Sequence, residues 1–267
     1  MSLIIGLCCT DGIVIGADDA ATFGSDRAST IRAAFKKIRV VDGISAISVA
    51  GTTGLLQQYE DVVASIHKTD AFMSSRPVQA MNTFRDEFLA RTNAQFQVAQ
   101  LLEKEHGQRA WDSCSSEIVV ATRIGGRYRL YHYDQRMAPQ EVTEELPFVA
   151  IGSGQQTADP FIAHLRRIYY AKQCPDIALG VMTVVWTLKH AAETGAPNVG
   201  SGRQIVTLSS VGDTPVIREL PDEQLQEHHE FIDRAEELMR SVARPTWRET
   251  SAPIPAAPEE YGETKTA

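Results

Sequence analysis

The chain has 267 residues, of which 43% are hydrophobic and 22% are charged, a composition that fits one globular domain with or without appendages. Its formal net charge of −8 argues against a broad nucleic-acid-binding surface, because phosphate binding needs clustered Lys and Arg. No apolar run approaches the roughly 18–20 residues of a membrane helix, and no cationic and apolar leader precedes the first predicted strand. We therefore expect a cytoplasmic protein without nucleic-acid or membrane partners.

The cysteine and histidine spacings indicate neither a disulfide framework nor a metal site. Cys8 and Cys9 are neighbours on a predicted strand and face opposite sides, whereas Cys114 and Cys174 are isolated. We expect all of them to be buried free thiols. The adjacent histidines at 228–229 would point about 100° apart on a helix, which does not suit metal ligation. The sequence therefore predicts no metal and no cofactor.

The start of the chain is predicted to form two β-hairpins. The strands are expected at 3–8, 13–18, 37–41 and 44–50. Asp11-Gly12 forms the first turn and Asp42-Gly43 the second, because Asp-Gly between apolar runs is a strong hairpin signal. The polar residues 22–29 are interpreted as a connecting segment.

The rest of the chain is assigned from apolar periodicity and from Pro and Gly positions. The predicted helices cover 55–66, 77–107, 158–173, 176–193 and 222–243, and the predicted strands cover 116–123, 128–133, 148–151, 204–209 and 215–219.

Hairpins in this order alternate with pairs of helices, which is typical of two stacked antiparallel sheets with helices outside them. The predicted fold class is therefore α+β, a four-layer αββα sandwich. We assign residues 2–220 to this domain, 221–243 to a C-terminal helix suited to docking, and 244–267 to a flexible tail rich in Pro and Glu.

Ser2 is the most informative residue for function. If Met1 is removed, Ser2 carries both a hydroxyl nucleophile and a free α-amine, whose pKa of about 7.7–8.0 lets it act as a base near neutral pH. A turn at residues 11–12 places Asp18 opposite about Ile5, a few residues from Ser2. In the second hairpin, residues 37 and 51 lie at one end, so each hairpin delivers two candidate groups to one end of a sheet.

Several short stretches carry a resemblance to a known family. They are Ile5-Gly6-Leu7, Asp11 to Asp18, Ala21-Thr22 with Gly24, Lys36-Lys37-Ile38, Val49-Ala50-Gly51, Gly152-Ser153-Gly154 and Gly200-Ser201-Gly202. This set resembles the proteasome-type β subunits and their bacterial relatives among the N-terminal nucleophile (Ntn) hydrolases. The likeness covers about residues 2–220, and the predicted order of strands and helices matches that family's sandwich.

The resemblance implies a role for each matching residue. Ser2 would be the nucleophile, in place of the usual threonine, with an Asp18–Lys37 ion pair beside it. The Gly51 N–H would face the developing oxyanion, and Ser153 would hydrogen-bond the N-terminal amine. Two further residues fall where the family places a serine and an aspartate that orient this network, namely Ser201 and Asn198. Asn198 is a departure, because an amide supplies no negative charge.

The resemblance also implies a substrate pocket and an assembly. Ala21, Phe35, Val49 and Thr53 would line a shallow, uncharged pocket that favours small or apolar side chains. The implied enzyme is a homo-oligomer, either a ring or an open helical assembly, that hydrolyses peptide or amide bonds in peptides or unfolded proteins. The resemblance leaves open whether an ATPase partner is needed.

Several alternatives remain open on sequence alone. Asp19 rivals Asp18, Lys36 rivals Lys37, and Gly51 also suits a plain strand-to-helix turn. The whole chain could instead be an inactive structural ring subunit of the same fold, or an amidase that acts on small molecules.

Overall fold

The computed structural model describes residues 2–25, 28–51, 53–69, 72, 74–106, 115–171, 173–196, 199–212 and 214–249. Two antiparallel sheets, each of five strands, form the centre of the described chain. The first sheet has the order β10-β1-β2-β11-β12 and the second has the order β5-β6-β7-β8-β9. The strands are β1 (Ile4–Cys9), β2 (Gly12–Asp18), β5 (Ile38–Val41), β6 (Ser45–Ala50), β7 (Glu117–Ile124), β8 (Arg127–Tyr133), β9 (Pro139–Val142), β10 (Phe148–Ile151), β11 (Arg203–Val211) and β12 (Thr214–Glu219).

Helices cover the outer face of each sheet. They are α1 (Thr53–His67), α2 (Pro77–His106), α3 (Gln155–Tyr169), α4 (Ile177–Glu193) and α5 (Asp222–Glu249). Helices α1 and α2 bury aromatic and aliphatic side chains against β6 to β8. Helix α4 packs on β1 and β2, and α3 packs on β10 and on α4. A third apolar layer, which includes Ile15, Val119 and Leu130, fills the space between the two sheets. These layers confirm the predicted four-layer αββα sandwich.

The first hairpin differs from the prediction at its turn. Cys9 pairs with Gly12, so Thr10 and Asp11 form the turn instead of residues 11–12. Moving a hairpin turn by one residue changes the cross-strand register by two, so the pairing of Asp18 with about Ile5 was wrong. Asp18 lies beside Leu3 and donates its backbone N–H to the Leu3 carbonyl at 3.1 Å. This register brings Asp18 closer to Ser2 than the sequence predicted.

Two other parts of the sheet structure were missed. The segment interpreted as polar and connecting contains a separate hairpin of β3 (Ala20–Ser25) and β4 (Ala28–Ala34). The short edge strand β9 (Pro139–Val142) was also missed, because four residues of mixed polarity give little periodic signal.

The helix ends also differ from the prediction. Helix α3 begins at Gln155 and ends at Tyr169, so Pro160 lies inside it. Helix α5 runs to Glu249, six residues past the predicted end at 243, and includes Pro245. Proline removes one backbone hydrogen bond, but its fixed φ near −65° remains compatible with a helix. The predicted tail beyond residue 249 lies outside the described residues.

Helix α5 packs on α4 by apolar and charged contacts. Leu225 and Ile232 are buried in the core cluster that α4 also lines. The Lys189 ammonium of α4 reaches Asp233 at 2.7 Å and Glu236 at 3.2 Å. The described part of α5 is therefore attached to the sandwich along its first half.

Candidate active site

Ser2 lies two residues before the first residue of β1, at the end of the sandwich where β10 finishes, and is 7% exposed. Its carbonyl oxygen accepts hydrogen bonds from Gly154 N at 3.3 Å and from Ser153 Oγ at 3.4 Å. On the other side of the same peptide bond, Leu3 N donates to Asp18 Oδ1 at 2.8 Å. Both ends of the Ser2–Leu3 peptide are thus fixed by neighbouring segments.

Gly152 makes the close approach to Ser2 possible. It has a φ of +92°, and a Cβ at this position would lie 2.3 Å from the Ser2 carbonyl oxygen. No other residue fits there without moving the backbone of Ser2. The glycine therefore sets how deeply the chain start sits in the site.

The Asp18 carboxylate is fully buried and accepts from four donors. Oδ1 accepts from Leu3 N at 2.8 Å and Lys37 Nζ at 2.6 Å, and Oδ2 accepts from Ala20 N at 3.0 Å and Gly200 N at 2.9 Å. An ionised carboxylate offers only acceptors, so this donor set matches its charged form.

Lys37 brings a positive charge from the second sheet to the first. The residue directly precedes β5, and its side chain is only 4% exposed in the ion pair with Asp18. A cation buried this deeply is tolerated because it is paired at 2.6 Å. The pair thus places a fixed ammonium group beside the segment that carries Ser2.

The two rival residues have other partners. The Lys36 side chain is 64% exposed and contacts Glu219 at 2.8 Å. Asp19 accepts from Gly202 N at 3.1 Å. The geometry therefore favours Asp18 and Lys37 as the buried pair.

The Gly200–Gly202 turn packs closely against the two acidic residues. A Cβ on Gly200 would lie 2.3 Å from Asp19 Oδ1, and a Cβ on Gly202 would lie 2.0 Å from Asp19 Oδ2. Ser201 between them is exposed, and within the described chain its side chain makes no hydrogen bond. The contact to Asp18 from this turn comes from the Gly200 backbone instead. Asn198 lies outside the described residues.

The predicted pocket is described only in part. Phe35 is half-buried against the core below α1 and α2, and the Arg39 guanidinium lies 5.5 Å from its ring centroid. Val49 is 7% exposed in the same core. Ala21 lies on β3 and Thr53 begins α1, but the structure describes no side chain for either residue.

Gly51 directly follows β6, is exposed and precedes α1. A Cβ at this position would lie 2.9 Å from the Cβ of Ser116, so the backbone here passes close to the start of β7. Its position fits a strand-to-helix turn. The role of its N–H toward an oxyanion stays a prediction.

Sequence reasoning missed Glu117, a carboxylate at this end of the sandwich. Glu117 pairs with Ala50 across β6 and β7, and its Oε2 accepts from Gly152 N at 3.4 Å. Burial raises the pKa of Glu117, while the Gly152 hydrogen bond opposes that shift. A lone acidic residue before the apolar run of β7 was the available signal.

The cysteine thiols are poorly suited to nucleophilic chemistry. Burial raises the pKa of Cys8 to about 12, and it also raises the pKa of Cys9 and Cys174. A thiol that stays protonated is a weak nucleophile. These three cysteines are free and half-buried, and Cys114 lies outside the described residues.

The described residues lack both a metal-binding cluster and a membrane-spanning helix. They contain no group of three or more His, Cys, Asp or Glu side chains that could hold a metal ion. Within the same residues, every helix is too short or too polar to cross a membrane.

The layers of the fold and the buried Asp18–Lys37 pair define an Ntn-type sandwich. A family model described as proteasome subunit matches residues 2–182 of this chain. The chain belongs to the proteasome subunit family, which confirms the resemblance inferred from the sequence motifs.

Solved structures support the same fold. Anbu (ancestral beta-subunit) from Yersinia bercovieri is 13% identical, with a TM-score of 0.61, and the match covers 91% of this chain and 97% of that one. Anbu from Hyphomicrobium sp. strain MC1 is 14% identical, with a TM-score of 0.61 and coverage of 90% and 97%. A mutant of the Hyphomicrobium protein gives 16% identity, a TM-score of 0.63 and the same coverage. No curated protein matches the sequence.

Proposed function

We propose that this chain is an N-terminal-serine hydrolase that cleaves peptide or amide bonds through an acyl-enzyme at Ser2. The observation that carries the proposal is the buried Asp18–Lys37 ion pair, with the carboxylate also hydrogen-bonded to Leu3 N, the amide of the Ser2–Leu3 peptide bond. A structural subunit needs no ammonium group buried beside its second residue. The proposal requires removal of Met1, since only a free Ser2 amine can act as the base.

The first step of the proposed reaction forms a tetrahedral intermediate. The Ser2 α-amine accepts the hydroxyl proton while Oγ attacks the substrate carbonyl carbon. The Lys37 ammonium lowers the proton affinity of that hydroxyl. The Gly51 N–H donates to the oxyanion of the tetrahedral intermediate, and one such donor is worth about 3–4 kcal/mol of barrier.

The later steps expel the amine, which leaves an ester, and then hydrolyse that ester. The α-ammonium returns its proton to the leaving nitrogen as the C–N bond breaks, which leaves an ester on Ser2 Oγ. The freed amine then takes a proton from water as the water oxygen attacks the ester carbon. The α-ammonium returns that proton to Ser2 Oγ as the ester C–O bond breaks, which releases the carboxylic acid and restores the hydroxyl. In this proposal Ser153 and the 199–202 segment position the network, with Ser153 acting on the Ser2 carbonyl and Gly200 on Asp18.

The substrate in this proposal is a peptide or an unfolded protein with a small or apolar side chain at the cleavage site. The apolar surroundings of Phe35 and Val49 support that preference. We propose that the protein is cytoplasmic and forms a homo-oligomer. The family is one of subunits, and α5 exposes Leu238 and Met239, which supports the homo-oligomer.

The experiment is covalent labelling of Ser2 by an electrophilic peptide inhibitor, read by intact mass. We expect a mature chain without Met1 that gains one inhibitor mass, and no gain for Ser2→Ala. Ser65→Ala is the matched control, because Ser65 lies near the far end of α1 and its hydroxyl donates to the Val62 carbonyl. Equal labelling of wild type and Ser2→Ala contradicts the proposal, and a retained Met1 favours the inactive structural subunit.

A further inference from the structure

Gln204 is a buried amide in the layer between the two sheets. It lies on β11, is 7% exposed, and pairs with Ala17 of β2 next to the Arg203–Asp18 pair. Its side chain crosses from the first sheet to the second, where it meets Ile38, the residue that follows Lys37. A long polar side chain in this layer requires polar partners.

The Gln204 amide binds both backbone groups of Ile38. Its Oε1 accepts from Ile38 N and its Nε2 donates to Ile38 O, each at 2.9 Å. Strand β5 is an edge of the second sheet, so no strand of the described chain lies beside these backbone groups on that side. The side chain supplies the hydrogen bonds that a strand would otherwise make.

A second contact connects Lys36, the residue before Lys37, to the first sheet. Lys36 Nζ donates to both Glu219 carboxylate oxygens, at 2.8 and 3.0 Å, and Gln204 Nε2 also reaches Glu219 Oε1 at 3.3 Å. The Lys36–Glu219 pair is exposed and contributes little by itself. Together, the contacts of Gln204 with Ile38 and of Glu219 with Lys36 form a clamp on the start of β5. The two buried hydrogen bonds to Ile38 are the stronger part of this clamp.

We infer that Gln204 is a positioning residue, whose amide fixes the start of β5 so that the Lys37 ammonium is held against Asp18 beside Ser2. Gln204 itself touches neither substrate nor reacting atoms. This inference rests on the proposed function for its catalytic consequence. The distance it controls is short, because Ile38 is adjacent to Lys37 and Gln204 is adjacent to Arg203, the strand partner of Asp18.

The test compares Gln204→Ala with wild type by two readouts. The first is the rate of Ser2 labelling across pH, which we expect to fall about 10- to 100-fold, since a misplacement of about 1 Å can cost about 10²-fold. The acid limb of the pH profile of this labelling rate should move to higher pH. An ammonium group held farther from the Ser2 α-amine lowers the proton affinity of that amine less. Loss of stability alone does not move this limb.

The second readout does not depend on catalysis. Acetic anhydride followed by peptide mass spectrometry measures how accessible each lysine amine is. We expect Lys37 to be protected in wild type and reactive in Gln204→Ala, while the exposed Lys36 reacts in both. Thr207→Val is the matched control, a buried polar residue on the same strand whose side chain faces the opposite side and α4. It should change neither readout.

The outcomes distinguish a failure of the Gln204 clamp from a failure of the proposed hydrolase function. If wild-type Ser2 is never labelled but Lys37 becomes reactive only in Gln204→Ala, the clamp stands and the proposed hydrolase fails. If Lys37 stays protected and the acid limb is unchanged, the clamp is overturned. If Gln204→Ala does not fold, Gln204→Glu decides. Its ionised carboxylate repels the Ile38 carbonyl, so its labelling rate relative to wild type should recover as pH falls, and a constant ratio overturns the clamp.

Discussion

The carboxylate of Asp18 and the ammonium of Lys37 lie 2.6 Å apart although the two residues belong to different sheets. Asp18 ends β2 in the first sheet, and Lys37 precedes β5 in the second. Their contact therefore joins the two halves of the sandwich at the end where Ser2 lies. It makes the stability of the fold and the chemistry of the site depend on one pair.

Lys37→Met tests whether both the stability of the fold and the labelling of Ser2 depend on the Asp18–Lys37 ion pair. We expect loss of Ser2 labelling and a fall of about 3–5 kcal/mol in the free energy of unfolding, because the Asp18 carboxylate stays buried without its cation. Urea unfolding and inhibitor labelling measure the two effects. Lys36→Met is the control and should cost less than about 1 kcal/mol, since its partner Glu219 is exposed. Equal effects of both variants would contradict the buried role of Lys37.

Gly152→Ala tests the close packing on Ser2. The added Cβ would lie 2.3 Å from the Ser2 carbonyl oxygen, so we expect Ser2 to shift and its labelling rate to fall about tenfold or more. Gly126→Ala is the control, because Gly126 also has a positive φ, +80°, but no atom lies within 4 Å of the added Cβ. That control should lose only the backbone contribution of about 1–2 kcal/mol and keep its labelling rate. A normal rate in Gly152→Ala would mean that Ser2 is not fixed by this contact.

Glu117→Gln tests the second carboxylate at this end of the sandwich. Glu117 is held near Ser2 through its hydrogen bond from Gly152, and its negative charge favours the protonated Ser2 amine. Removing that charge should lower the pKa of the amine and move the acid limb of the labelling profile to lower pH. This direction is opposite to the one expected for Gln204→Ala. The exposed Glu145→Gln should leave the limb in place, and an unmoved limb in Glu117→Gln would exclude an electrostatic effect.

His67 predicts how stability depends on pH. The ring is buried, its Nε2 lies 2.8 Å from Ser45 Oγ, and Asp42 lies 3.7 Å from Nδ1. Burial lowers the pKa of His67 despite the opposing effect of Asp42. The unfolded chain binds a proton on this histidine at about pH 6.5, whereas the folded chain binds it only at lower pH. Stability is therefore retained above about pH 6.5 and is lost as the pH falls below it.

The measurement for His67 is the melting temperature between pH 8 and pH 5. We expect the decline toward acid to be shallower in His67→Gln than in wild type. The exposed His164→Gln serves as the control and should follow the wild-type curve. Parallel curves for wild type and His67→Gln would show that this histidine does not contribute to the acid sensitivity.

The sequence was most informative where local patterns decide structure. Apolar runs and Asp-Gly turns were enough to predict the layers, and the family motifs picked out Asp18 and Lys37 as a pair. The cross-strand register was wrong because a hairpin with Thr10 and Asp11 in the turn reads almost the same as one shifted by a residue. Only the paired strands distinguish the two.

The missed residues depend on contacts between distant segments. Gln204 and Glu117 act across the two sheets, through Ile38 and Gly152, and no local spacing predicts such contacts. The resemblance assigned an orienting role to Ser201, and that role stays a prediction. The structure adds a contact from the neighbouring Gly200 N–H to Asp18, which no motif indicated.

The hydrogen bond between Gly200 and Asp18 has a consequence for synthesis. The two residues are separated by 182 positions in the chain. A ribosome must therefore translate most of the message before the carboxylate has its full set of donors. In the proposed hydrolase, a nascent chain that is still being elongated therefore lacks a finished site, and cleavage of neighbouring polypeptides begins only when translation is nearly complete.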